Sequence, residues 1–216
     1  MRFVSALCLA VTLFASLVFA AVDREDSSEP WIAAARILKN GEPSGSGVYL
    51  KSGLIVTAAH LTDANAKMGV RMAGAVLPAQ MLKQGSFEDV DLSLLLVDQE
   101  KVPAGLPRME LCTAPPWPGD PVIVVDAERA TRSHIVSPMI LPYISWRTKF
   151  STLIGDVATT GNSGSGVFDP NRKCLLGIMS RKFTTHTTEG DKDIAKYFIS
   201  AMVIRDFMPV EFRPPK

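Results

Sequence analysis

After its first twenty residues, this chain consists mostly of short apolar or alternating runs that Gly, Pro, Asn and Asp interrupt. Runs of about four to eight such residues between turn-forming residues are typical of β-strands, whereas helices need longer periodic segments. We therefore expect an all-β fold made of antiparallel β-barrels. The predicted strands cover residues 32–38, 47–50, 54–58, 92–97, 122–125, 133–141, 166–169, 175–180 and 197–200.

A proline-rich segment divides the strands into two groups. Residues 101–121 contain prolines at 103, 107, 115, 116, 118 and 121, and proline lacks the N–H group that a central strand must donate. We expect this segment to be the crossover between a first barrel at about residues 31–100 and a second at about 122–200. Apolar residues at helical spacing then predict a C-terminal helix at about residues 201–208.

The N-terminal segment resembles a targeting signal. It has one charge, Arg2, followed by an apolar run to Phe19 that ends in small residues. This pattern predicts a secretory signal peptide over residues 1–20, and residues 21–216 would form the mature domain. A membrane anchor is the alternative, because the run approaches the roughly 20 residues that a span requires. The polar, acidic segment at residues 23–28 favours the signal peptide, and we expect a secreted or periplasmic protein with no membrane association after cleavage.

Composition argues against several classes of partner. Cleavage would leave 22 basic and 22 acidic residues without a basic cluster, so we expect no nucleic-acid partner. The three histidines His60, His134 and His186 are dispersed, and the pair Cys112 and Cys174 cannot form a zinc site alone. We predict no metal and no cofactor. In an oxidising compartment, the two cysteines are more often bridged than free.

Three short segments together contain the groups for nucleophilic catalysis. Ser163 lies in the sequence Gly-Asn-Ser-Gly-Ser-Gly, His60 ends Thr-Ala-Ala-His after an apolar run, and Asp91 precedes the leucine-rich residues 92–97. A serine hydroxyl is a poor nucleophile unless an imidazole accepts its proton, and a buried carboxylate fixes the tautomer of that imidazole. The segments therefore predict a nucleophile, a base and an orienting acid.

These segments, in the order His, Asp, Ser, resemble those of the trypsin-like, chymotrypsin-fold serine peptidases, especially bacterial ones such as glutamyl endopeptidases and the peptidase domain of heat-shock serine peptidases. The resemblance extends over about residues 37–208. It implies two antiparallel six-stranded β-barrels with a C-terminal helix and a site in the cleft between them. It also implies a serine endopeptidase that cleaves protein or peptide substrates through an acyl-enzyme. Ser163 would be the nucleophile, with the N–H groups of Gly161 and Ser163 forming the oxyanion hole.

Other interpretations of the same residues are weaker. Glu88 and Asp89 compete with Asp91 for the acid, but Asp91 occupies the family's Asp-Leu-x-Leu-Leu position. An α/β-hydrolase would require the order Ser, acid, His, and only His186 follows Ser163, at too short a distance. A catalytically silent binding protein on a peptidase scaffold remains the alternative from another functional class.

The resemblance also implies a specificity pocket and a disulfide. Val157 and Ala158 would lie at the base and wall of the pocket, and Met179 and Ser180 on the strand along its side. With no carboxylate at the base, a preference for Lys or Arg is disfavoured and an apolar preference is expected. Glutamyl endopeptidases carry a histidine at the position of Met179, which argues against an acidic preference, although the nearby Arg181 and Lys182 could attract an acidic side chain. Ser180 would also support the triad aspartate. Cys112 and Cys174 match positions that form a bridge away from the cleft.

Overall fold

The computed structural model describes residues 33–157, 161–188 and 190–213, which form two closed antiparallel barrels of six strands each. This confirms the expected fold class. The first barrel has the strand order β1-β2-β3-β6-β5-β4. Its strands are β1 (Ala34–Lys39), β2 (Glu42–Lys51), β3 (Leu54–Thr57), β4 (Met68–Met72), β5 (Ala75–Gln84) and β6 (Ser93–Val97).

The second barrel has the order β10-β11-β12-β9-β8-β7, and two short helices accompany it. The second helix starts directly after the last strand, which confirms the predicted C-terminal helix. The strands are β7 (Pro121–Val125), β8 (Ala130–Val136), β9 (Leu153–Ile154), β10 (Gly166–Asp169), β11 (Cys174–Thr187) and β12 (Gly190–Ser200), and the helices are α1 (Ile144–Lys149) and α2 (Ala201–Phe207).

The contact between the barrels explains why some strands are apolar without alternation. All four residues of β3 are buried: Ile55 packs inside the first barrel, whereas Leu54 and Val56 belong to a core that also contains Val122 and Val124 of the second barrel. A strand that is covered on both faces has no solvent-facing positions. The unbroken apolar run before His60 is therefore a consequence of the two-barrel packing.

Some elements differ from the sequence-based expectations. The predicted strand at residues 133–141 is wrong at its end, because β8 stops at Val136 and a 3-10 turn, Pro138–Ile140, follows with Pro138 in its first turn. Proline cannot donate to a sheet, and its fixed φ suits the first turn of a helix. The sequence analysis also missed β4, β5, the two-residue strand β9 and α1.

A disulfide connects the segment between the barrels to the second barrel. Cys112 precedes β7 and is bonded to Cys174, the first residue of β11, with the two Cα atoms 5.1 Å apart. The expected pairing is thus present in the structure. Among the described residues, none of the helices is long and apolar enough to cross a membrane. The predicted signal peptide, residues 1–20, lies outside the described residues.

Candidate active site

His60 and Asp91 lie at the same edge of the first barrel because of strand pairing. Strands β3 and β6 are antiparallel neighbours in which Thr57 is paired with Ser93. The residues just after β3 and just before β6 therefore meet. His60 follows in a single 3-10 turn, Ala59–Leu61, and Asp91 lies two residues before β6. The two segments identified in the sequence are thereby brought into contact.

Asp91 is the acceptor for three donor groups. Its side chain is 1% exposed, and its carboxylate oxygens lie 2.9 Å and 3.1 Å from Nδ1 of His60. The backbone N–H of His60 donates to Oδ1 at 3.0 Å, and the Ser180 hydroxyl donates to Oδ2 at 2.6 Å. Within the described residues, the exposed neighbours Glu88 and Asp89 make none of these contacts with His60.

This environment keeps Asp91 ionised. Burial raises the pKa of its carboxyl group, but the hydrogen bonds from the His60 ring, from Ser180 and from the His60 backbone outweigh burial and hold that pKa below its ordinary value. An anionic Asp91 accepts a hydrogen bond from Nδ1–H of His60, which favours the tautomer whose Nε2 is free to accept a proton. The pair has the electrostatic arrangement that a general base requires.

The loop that carries Ser163 is held at the seam between the barrels. The carbonyl of Ser163 accepts from the N–H of Ser46 on β2 at 3.1 Å, and the N–H of Gly164 donates to the carbonyl of Met179 on β11 at 2.8 Å. Gly164 has a φ of +80°, and a Cβ there would lie 1.8 Å from the Ser46 carbonyl oxygen. Glycine is therefore required for the loop to approach β2 this closely.

Ser163 is partly exposed to solvent. In the part of the chain that the structure describes, its hydroxyl makes no hydrogen bond to the His60 ring. Within the same residues, the backbone N–H groups of Gly161 and Ser163 donate to no protein acceptor. In enzymes without substrate, the hydrogen bond between nucleophile and base is often long and tightens when substrate binds.

A cavity of about 370 Å³ opens beside Ser163. Three of the four residues that the sequence placed in a specificity pocket, Val157, Met179 and Ser180, line it, whereas Ala158 lies outside the described residues. The lining is largely polar. Its other members are Gly161, Asn162, Ser163, Arg181, Lys182, Asp193 and Lys196.

Two of these lining residues, Asp193 and Lys196, were missed by the sequence analysis. They lie on β12, which pairs with β11, and the register of that pair sets Lys182 opposite Lys196. Lys182 and Asp193 form a salt bridge of 2.9 Å, and Nζ of Lys196 donates to the carbonyl of Gly161 at 2.9 Å. The only available signal was the high proportion of charged residues at 191–196, two acidic and two basic, which is equally compatible with a solvated hairpin.

A third missed residue, Phe87, packs directly against the His60 ring. The edge of its ring meets the His60 ring with a centroid separation of 5.5 Å. The guanidinium of Arg181 lies 4.1 Å from the centroid of Phe87 and donates to the Phe87 carbonyl at 2.5 Å. This contact joins β11 to the loop before Asp91 and restricts the rotation of the imidazole.

Within the described residues, no group of three or more His, Cys, Asp or Glu side chains could hold a metal ion.

Solved structures share this architecture at low sequence identity. A mutant of Rv3671c from M. tuberculosis H37Rv, in an inactive form, superposes with a TM-score of 0.58 at 15% identity, covering 87% of this chain and 91% of that one. Kallikrein-related peptidase 10 in complex with Zn2+ superposes with a TM-score of 0.61 at 18% identity, covering 82% of this chain and 92% of that one. At such identities the similarity shows the fold alone. A comparison with curated proteins finds no significant sequence match.

The family is shown independently by sequence. Residues 45–178 match the trypsin-like peptidase domain. This range includes His60, Asp91 and Ser163, as well as Ser46, which binds the carbonyl of Ser163. Together with the two six-stranded barrels, the match establishes that the chain belongs to the trypsin-like serine peptidase family.

Proposed function

We propose that this protein is a secreted or periplasmic serine endopeptidase that uses His60, Asp91 and Ser163. One observation carries the proposal: the buried, ionised Asp91 accepts a hydrogen bond from Nδ1 of His60 at 2.9 Å. This pair lies at the seam between the barrels, where the Ser163 loop is also held, and a cavity opens beside that loop. A catalytic triad of this kind is recognised by the geometry and the chemical roles of its three residues.

In the proposed reaction, Nε2 of His60 accepts the hydroxyl proton of Ser163 as the oxygen attacks the scissile carbonyl. Asp91 stabilises the imidazolium that forms, and Ser180 assists by holding the carboxylate in place. The N–H groups of Gly161 and Ser163 donate to the developing oxyanion. His60 then protonates the leaving amine, and water releases the acyl group through the same base.

Location outside the cytoplasm is supported by the disulfide between Cys112 and Cys174. Disulfides persist in the periplasm and in secreted proteins, whereas the cytosol keeps thiols reduced. Protein or peptide substrates follow from the same proposal, since the cavity lies open beside the nucleophile.

A fluorophosphonate probe tests this proposal because it reacts with a serine only when a base activates it. We expect covalent labelling of the wild-type protein and hydrolysis of a casein or peptide substrate. Labelling should be lost in Ser163→Ala and in His60→Ala. Ser145→Ala is the control, because Ser145 is exposed on helix α1 and outside the cavity lining. Absence of labelling in the folded wild-type protein, or equal labelling of Ser163→Ala, would refute the proposal and favour a binding protein.

A further inference from the structure

Consecutive residues of strand β11 contact two members of the proposed triad. The carbonyl of Met179 accepts from the N–H of Gly164 at 2.8 Å and so holds the loop of the nucleophile. The hydroxyl of Ser180 donates to Oδ2 of the acid, Asp91, at 2.6 Å. The next residue is Arg181, and its contacts connect the same strand to the third member, the base.

The guanidinium of Arg181 is bound to Phe87 by two contacts. It lies 4.1 Å from the centroid of the Phe87 ring, and its Nη2 donates to the Phe87 carbonyl at 2.5 Å. It also lies 5.0 Å from the centroid of the Phe150 ring, which packs against the rings of Phe183 and Tyr197 with centroid separations of 4.9 Å. A planar guanidinium stacks on aromatic rings and donates in fixed directions. Arg181 therefore connects the aromatic cluster of the second barrel to Phe87 of the first.

Phe87 transmits this contact to the base. Its ring meets the His60 ring edge-on, with a centroid separation of 5.5 Å and an interplanar angle of 86°. Phe87 is 41% exposed and lies in the loop between β5 and β6, so burial alone does not fix the position of its ring. Because Arg181 binds both the ring and the backbone carbonyl of Phe87, it holds that ring where it meets the imidazole.

A bulge in β11 allows two neighbouring residues to contact the same loop. In the pairing with β12, Met179 is opposite Phe198 and Arg181 is opposite Tyr197, so Ser180 is the extra residue. Side chains alternate between the two faces of a regular strand, whereas a bulge redirects a side chain and is frequent next to active sites. Ser180 and Arg181 both contact the loop between β5 and β6, which carries the acid and the ring beside the base.

We propose that Arg181 is a positioning residue that acts through Phe87 to hold the imidazole of His60 against rotation. Rotation of the ring would take Nδ1 away from Asp91 and misdirect Nε2, and small displacements of a catalytic group cost large factors in rate. This inference rests on the proposed function, because it takes His60 as the base. Arg181 also lines the cavity beside Ser163, so direct binding of substrate by its guanidinium is the competing role that the test must separate.

The test begins with the kinetics of Arg181→Met and Phe87→Leu. In each variant we expect kcat for a peptide and the rate of fluorophosphonate labelling to fall about tenfold, with KM changed less than about threefold, because a misoriented base slows the reaction without removing a substrate contact. Phe87→Tyr keeps the ring and should retain kcat within about twofold. Arg181→Lys keeps the charge but not the planar stack, so it should not restore the rate. An increase in KM for acidic peptides with unchanged kcat and labelling would overturn the inference and assign Arg181 to substrate binding.

A double-mutant cycle tests whether Arg181 acts through Phe87. If it does, the variant that combines Arg181→Met with Phe87→Leu should be slower than Phe87→Leu alone by no more than about twofold. If the two residues act independently, their effects multiply to a loss of about 100-fold, and this result would overturn the inference.

Lys83→Met is the matched control, because it removes a contact of the same kind elsewhere. The Lys83 ammonium lies 4.2 Å from the centroid of the Phe207 ring and donates to the Phe207 carbonyl at 2.8 Å. Neither residue lines the cavity beside Ser163. This variant should retain the wild-type kcat and labelling rate, and an equal loss in Lys83→Met and Arg181→Met would overturn the inference.

NMR relaxation of the histidine rings detects failure of the proposed chemistry separately, since it requires no catalysis. The chain has three histidines, His60, His134 and His186, so the His60 signal is identified by its loss in His60→Ala. We expect the order parameter of the His60 ring to fall in Arg181→Met and to be unchanged in Lys83→Met. A lower value in Arg181→Met supports the inference even if the fluorophosphonate does not react with the wild-type protein. Equal values in the folded wild-type protein and Arg181→Met would overturn it even if the nucleophile is reactive.

Discussion

Replacement of Gly164 by Ala tests how the fold positions the nucleophile. Gly164 has a φ of +80°, and an added Cβ would lie 1.8 Å from the Ser46 carbonyl oxygen and 2.8 Å from the hydroxyl oxygen of Thr57. The Ser46 carbonyl is held by strand β2 and by a hydrogen bond of 2.6 Å from Thr57. The obstruction is therefore backbone that belongs to the barrel, and the Ser163 loop is the part that must move.

The size of this movement follows from the contact distance. Real Cβ atoms essentially never approach closer than 3.0 Å, so the 1.8 Å contact must lengthen by at least 1.2 Å. A displacement of about 1 Å at a reacting group can reduce the rate about 100-fold. We expect Gly164→Ala to lower kcat/KM by at least that factor. The left-handed backbone conformation adds a loss of about 1–2 kcal/mol in the free energy of unfolding.

Gly74→Ala is the matched control. Gly74 has nearly the same φ, +81°, but a Cβ there would meet no atom within 4 Å. Both variants therefore carry the same conformational strain, and only Gly164→Ala carries the collision with β2. Urea unfolding should show losses of stability in both, while peptide hydrolysis and the rate of fluorophosphonate labelling should fall only in Gly164→Ala. If folded Gly164→Ala retained the activity of Gly74→Ala, the argument from close approach would be refuted.

Three further predictions concern the acid of the triad and the disulfide. Asp91→Asn should lower kcat by about four orders of magnitude, because the amide replaces one acceptor oxygen by an NH2 donor and favours the wrong imidazole tautomer; single-turnover hydrolysis measures this, and a loss below tenfold would contradict it. The pKa of Asp91 lies below its ordinary value of 3.8 in the folded state, so its contribution to stability is present above that pH and is lost as pH falls through the folded pKa. Between neutral pH and about pH 3, the free energy of unfolding should therefore fall more for the wild-type protein than for Asp91→Asn. Equal losses in urea titrations would show that Asp91 is not the source of this pH dependence. Replacing Cys112 and Cys174 by Ser should lower the unfolding free energy by about 4 kcal/mol under the chain-entropy description of a cross-link that spans 62 residues; an unchanged urea midpoint would contradict this.

Local sequence was sufficient to identify the proposed triad and the fold class. His60 and Asp91 each adjoin a strand that is buried on both faces, and such strands appear in the sequence as unbroken apolar runs. The glycines around Ser163 indicate a tight backbone approach, which the structure shows at Gly164 against Ser46. These features depend on neighbouring residues in the chain, so they could be predicted from the sequence alone.

Strands β4 and β5 and helix α1 were not predicted because their patterns are weak. Strand β5 contains Pro78 and several polar residues, and its burial alternates only partly. Helix α1 has six residues and no buried side chain. Elements of this kind are stabilised by the barrel or the surface on which they pack, and propensity alone is a poor guide to them.

The charge of the cavity was decided by tertiary structure. Lys196 is 33 positions after Ser163 in the sequence, and it reaches Gly161 only through the pairing of β12 with β11. That pairing has irregularities between Met179 and Arg181 and between Phe183 and Thr184. Because a shift of one residue moves every side chain of a strand to the opposite face, each irregularity changes which residues point into the cavity. The sequence determined which chemical groups are present, and the register of two strands determined that a lysine contacts the loop of Ser163.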